Sequence, residues 1–118
     1  MEKTIVPTSS NSLYVSGAGE KTQIKIDYIA VKKAAMVLRA INHKLRQQII
    51  KLLEEHKKMT VTEIYVKLRL EQSVASQHLA ILRRAGIVVT DREGKFIYYS
   101  LNVNRIAEIT GFVEDMLG

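Results

Sequence analysis

The segment QSVASQHLAILRRAGIV, residues 72–88, decides how the rest of the 118-residue chain is read. Val74, Ala75, Leu79 and Leu82 recur at helical spacing, so one face of this stretch seeks a core. The opposite face carries Ser73, Ser76 and Gln77, with His78 near its boundary. That face is polar yet almost uncharged, in a chain of which 25% is Asp, Glu, Lys or Arg. Solvated helix faces ordinarily use Glu and Lys, so its neutrality calls for a reason. Gly86, after Ala85, stands where a left-handed residue closes a helix.

Upstream, MTVTEIYVKLRL (59–70) sets Glu63 three residues after Thr60, a capping box. A helix should therefore start close to Thr60 and bury Ile64 and Leu68, with a turn around Leu70 to Gln72 leading into the segment above. Before it, HKLRQQIIKLLEEH (43–56) turns Leu45, Ile49, Leu52 and Leu53 inward, with Asn42 as the expected N-cap. A further helical pattern runs from about Thr22 to Ala40, with Ile26, Ala30, Ala34 and Val37 on one stripe. Residues 1–20 mix Ser, Gly, Thr and the single proline without a sustained period, and read as a flexible N-terminal arm. Within it, the IVP and LYV patches could still pair locally or dock.

Downstream the period changes from helix to strand. IVVT (87–90) and KFIYYSL (95–101) are β-branched and aromatic, and DREG between them supplies Gly94 as the left-handed turn residue. One of Tyr98 and Tyr99 should pack inward. Asn104 then caps a last helix, in which Ile106, Ile109, Val113 and Met116 fall at a and d spacing and Gly111 is a weak point. The fold class that follows is mainly α with a small β-hairpin: a winged helix–turn–helix of five helices, the hairpin lying between the fourth and fifth. Residues 21–118 would form that single domain.

Charge supports this assignment. The net charge is +6, and residues 21–101 hold 16 basic against seven acidic side chains, with mildly acidic flanks. A basic centre suits a polyanion partner, although a merely solvated basic surface would look the same by charge alone. With no cysteine, disulfides, thiolate metal ligands and thiol switches are excluded. No apolar run approaches the ~18 residues of a membrane span, and the N-terminus lacks a signal-peptide core, which points to the cytoplasm.

A second helix of a helix–turn–helix enters the major groove, where base edges are read by groups that both donate and accept. The amides of Gln72 and Gln77 can pair with adenine, and Ser73 and Ser76 can bond bases or phosphates. A carboxylate there would repel the backbone. Arg83 and Arg84 suit either the helix C-terminal dipole or a phosphate, and the wing tip offers Arg92 and Lys95 to the DNA backbone.

The strings LRAINHKLRQQIIKLLEE, SVASQHLAILRRAGIV and DREGKFIYYSLN together resemble the ArsR/SmtB-type winged-helix repressors, over about Leu38 to Asn102. The resemblance implies a homodimer joined through the first and last helices, bound to double-stranded DNA at a roughly palindromic operator. The stripes Ile26/Ala30/Ala34/Val37 and Ile106/Ile109/Val113/Met116 fit such an interface, and both exceed what one small core needs. Carried over by position, the recognition residues are Gln72, Ser73, Ser76, Gln77 and His78, with Arg92 and Lys95 on the wing.

The chain departs from the family's metal sensors. A cysteine pair at the start of helix three is replaced by Thr60 and Thr62, and the last helix has Glu108, Glu114 and Asp115 but no histidine. His43, His56 and His78 share no i,i+3 or i,i+4 spacing, and each reads as structural or solvated. No metal site and no cofactor are expected. Two regulatory schemes stay open: release by a small-molecule effector, or control by the protein's own concentration. An enzyme is not expected, since no nucleophile or phosphate-loop motif is present. The alternative to a repressor is a basic interaction module that binds a partner protein or RNA without reading DNA sequence.

Overall fold

The computed structural model describes residues 12–16 and 23–118, side chains being described from Gln23 onward. The chain divides into two units, residues 1–38 and 39–118. In the first, strand β1 (Ser12–Ser16) pairs antiparallel with β2 (Gln23–Asp27), Ser12 opposite Asp27 and Ser16 opposite Gln23. Helix α1 follows at once, over Tyr28–Ile41.

This corrects the expectation of a helix from about Thr22. The Asp27 carboxylate accepts from the backbone N–H groups of Ile29 and Ala30, at 3.1 Å each, and so fixes the helix start. QIKID before it alternates as a strand does, and Ile26 lies in β2 rather than on a helical stripe. The LYV patch of the expected arm sits in β1, paired with β2. The IVP patch lies outside the described residues.

In the second unit α2 spans Lys44–His56, β3 Lys58–Thr60, α3 Val61–Leu68, α4 Gln72–Arg84, β4 Val88–Glu93, β5 Phe96–Leu101 and α5 Val103–Leu117. The cap of α2 is His43, not Asn42: its Nδ1 accepts from Leu45 N–H at 3.1 Å. Thr60 caps α3 in a complete capping box with Glu63, as the sequence predicts. The last helix starts two residues earlier than expected. Asn102, directly after the strand, accepts from Arg105 N–H at 3.2 Å, which leaves Asn104 inside α5.

The sequence also missed β3. Its three residues carry no period of their own, and they become a strand by pairing with β5, Lys58 opposite Ser100 and Thr60 opposite Tyr98. The antiparallel sheet thus has the order β3-β5-β4. Ile49, Leu53, Ile64, Leu79, Leu82, Ile87 and Val88 form the fully buried centre of the unit, where each side chain contributes about 1.5–3 kcal/mol by leaving water.

The candidate nucleic-acid interface

Helix α4 is held by three side chains with no exposure, Ala75, Leu79 and Leu82. Its other side is solvent-exposed from end to end: Gln72, Ser73, Ser76, Gln77, Ala80, Arg83 and Arg84. The first five of these are neutral, and the two arginines close the helix at its C-terminal, electronegative end.

The end itself is a Schellman arrangement. Gly86 N–H donates to Arg83 O at 2.9 Å and Ile87 N–H to Leu82 O at 3.0 Å, with Gly86 at φ 78°. Because Ile87 is buried beside Leu82 in the core, this cap fixes both the helix end and the point where β4 departs. The turn before α4 is tight as well. Arg69 takes the left-handed conformation, φ 57°, and its N–H returns to Val66 O at 3.2 Å.

The wing is a two-residue hairpin, with Glu93 opposite Phe96 and Gly94 at φ 65° in the first turn position. Its register sorts the side chains. Val88, Thr90 and Arg92 pair with Leu101, Tyr99 and Ile97, so these six share one face, whereas Asp91 and Glu93 share the other with Tyr98 and Phe96. The first face runs into the core through Val88 and Tyr99. Tyr99 also closes an open depression of about 460 Å³, shared with Ser76, Leu79, Ala80, Arg83 and Arg84 of α4. Tyr99 is thus the inward-packing tyrosine.

On the acidic face Lys58 of β3 bonds Glu93 at 2.6 Å and lies 4.9 Å from the centre of the Tyr98 ring. The bond to Glu93, reinforced by the negative charge of Glu93 and Asp91, raises the Lys58 pKa despite some loss of solvent. The two tip cations sit differently from each other: Arg92 Nε donates to Gly94 O at 3.2 Å, and Lys95 Nζ lies 5.5 Å from the Phe96 ring centre.

His78 stands apart from the other residues carried over as recognition residues. It is half-buried, off the exposed face, with Nδ1 3.2 Å from Nη1 of Arg46 and its ring 4.8 Å from that of His43. Burial first, and then His43 and Arg46, push its pKa below the usual histidine value. Sequence spacing could not bring His43 and His78 together, because they come from different helices. Among the described residues no three His, Asp or Glu side chains gather as a metal site would require.

Of the residues assigned to a dimer surface, Ile106 and Ile109 already pack against the core, Val113 is half-buried and Met116 is 59% exposed. On α1, Ala30 is exposed and Val37 half-buried.

A model of the bacterial regulatory proteins of the arsR family matches residues 43–90, from the cap of α2 to the middle of β4. The transcriptional repressor PagR of Bacillus anthracis is 36% identical over 85 residues, which is 72% of this chain and 85% of that protein. The chain belongs to the ArsR family. Another relative, the transcriptional activator HlyU of Vibrio cholerae, is 38% identical over 74 residues, 63% of this chain and 68% of that one. Among solved structures, PagR superposes with a TM-score of 0.59 at 33% identity, covering 73% of this chain and 99% of that chain. HlyU from Vibrio vulnificus gives 0.55 at 36%, covering 74% and 91%. As an ArsR-family protein the chain is a winged helix–turn–helix transcriptional regulator, in which α3 and α4 are the helix–turn–helix and β4–β5 the wing.

Proposed function

We propose that the chain is a sequence-specific double-stranded DNA-binding repressor, acting as a homodimer on a palindromic operator in the cytoplasm. One observation carries this reading: the neutral, exposed face of α4 ends in two arginines of the same helix, and the wing that follows carries Arg92 and Lys95 at its exposed tip. Gln72, Ser73, Ser76 and Gln77 offer donors and acceptors to base edges, and Ala80 permits close approach. Arg83, Arg92 and Lys95 hold the backbone. Repression, rather than activation, follows the likeness to PagR.

A second copy would cover apolar side chains that the chain's own fold leaves in solvent. On α5 these include Phe112, Met116 and Leu117, and on α1 Ile29, Val31 and Met36. A two-fold dimer would set its recognition helices about one DNA turn apart.

The test is fluorescence anisotropy with a duplex that the protein itself selects from a random-sequence pool, against a scrambled duplex and an RNA of equal length. The reading expects tighter binding to the selected duplex and an affinity that falls steeply with salt. Equal affinity for all three would replace it with a non-specific basic module.

A further inference from the structure

Arg46 is the one charged side chain among the described residues that is buried, at 8% exposure. It stands in the first turn of α2, and what surrounds it is not a carboxylate. Nε donates to Ala40 O at 2.6 Å and Nη2 to Arg39 O at 3.1 Å, carbonyls of the last turn of α1 whose partial negative charge suits a cation. The third contact is His78, through Nη1 and Nδ1 at 3.2 Å. A guanidinium only donates, so Nδ1 of His78 must present its lone pair, and its proton resides on Nε2. His43 is used in the same way, its Nδ1 accepting from Leu45 N–H.

Two imidazoles and a guanidinium therefore meet in one cluster, and the contact between Arg46 and His78 exists only while the His78 ring is neutral. An imidazolium has donors at both nitrogens and would turn an N–H toward Arg46 beside a second like charge. His78 directly follows Gln77 and lies two residues after Ser76, so a turn of α4 that relieved the clash would carry the exposed face with it.

We propose that Arg46 and His78 form a latch that positions the recognition helix, and that protonating His78 opens it, so that discrimination between DNA sequences is lost on acidification. His78 is then a positioning residue. The proposal rests on the DNA-reading role of α4 given above. Geometry and charge agree on it: the groups that act on the charge of His78 are His43, the cap of α2, and Arg46 in its first turn, both against its protonation, and Arg46 is itself held by two backbone carbonyls of α1. The lowered pKa of His78 is what such a cluster produces.

The sign of the pH effect separates this role from direct DNA contact. A histidine touching phosphate would tighten binding when protonated, whereas the latch loosens selective binding. Affinities for the selected and the scrambled duplex are to be measured at about pH 7.5 and in steps down to about pH 4.5, because the His78 pKa lies below the ordinary histidine value of ~6.5. The preference ratio should fall about three- to tenfold in the wild type, one proton giving at most about tenfold per pH unit. In His78→Gln, which keeps an acceptor but cannot titrate, the ratio should change less than about twofold; His56→Gln, remote from the cluster, should keep the wild-type fall.

A wild-type ratio that holds or rises on acidification, or an undiminished fall in His78→Gln, overturns the latch. If no duplex is bound at any pH, the DNA-reading proposal falls and the latch's role goes with it. Nitrogen-15 spectra of the histidine rings in the wild-type protein give a readout that needs neither DNA nor a variant. His78 should carry its proton on Nε2 at neutral pH, and a proton on Nδ1 would refute the geometry.

Discussion

The recognition helix and the wing both present polar groups to solvent, but they organise them in opposite ways. Helix α4 keeps its outer face neutral over its first nine residues and anchors it from behind with Ala75, Leu79 and Leu82. The wing is charged at its tip and exposed on every residue from Asp91 to Ile97, with its acids and its Arg92 separated onto two faces by strand alternation. Directional hydrogen bonds to a base are useful only from a rigid support, since about an ångström of slack removes them. Coulombic attraction to a phosphate falls off slowly and tolerates a less exactly placed group. On the proposed function the two regions would divide one task, selection and grip.

The strongest way to break the contrast is to loosen the rigid partner. Leu79→Ala removes a side chain with no exposure from beneath the reading face and should lower stability by about 2–5 kcal/mol, as followed by urea unfolding. A loss under about 1 kcal/mol would mean that the core behind α4 can collapse, and that the helix is not firmly seated.

Next in size are two substitutions that separate selection from grip. Gln77→Ala should cost about 1–3 kcal/mol of preference for a selected duplex over a scrambled one. Arg92→Ala should weaken both duplexes to a similar extent and reduce the salt slope by about 0.9. The comparison fails if the two variants exchange behaviours, with Arg92→Ala altering preference and Gln77→Ala altering only the salt slope.

How far these regions could be read from sequence follows the same division. The buried side of α4, the capping box at Thr60 and the glycines at 86 and 94 are local signals, and each appears where its chemistry requires it. Contacts that depend on tertiary placement were not readable. The strand Lys58–Thr60 exists because β5 lies beside it. His78 looked like part of the polar face because a one-residue rotation on a helix is about 100°, and only the position of Arg46 shows which side of the boundary it takes. His43 serves as a cap where Asn42 is the commoner residue type, because its ring nitrogen reaches Leu45 N–H. The strand Gln23–Asp27 did carry a signal, the alternation of Ile24 and Ile26, but Ile26 also fits a helical stripe with Ala30. Asp27 resolves that competition by capping α1.

The smallest effect tests whether sorting of charge on the wing matters. Lys58 neutralises Glu93 on the face away from Arg92, but the pair is about half exposed, so it should add little to stability. Lys58→Ala should leave the thermal unfolding midpoint nearly unchanged at physiological salt. Any difference should shrink as salt rises, and it should also vanish in alkali. A raised lysine pKa means that the contribution is complete below the unfolded value of 10.5 and is lost as pH climbs through the higher folded value. DNA binding is the more sensitive readout. Freed of Lys58, Glu93 places an uncompensated negative charge one residue from Arg92, so affinity for all duplexes should drop by less than in Arg92→Ala, with sequence preference intact. A larger drop than in Arg92→Ala would make Lys58 itself a backbone contact, and β3 a part of the DNA-binding surface.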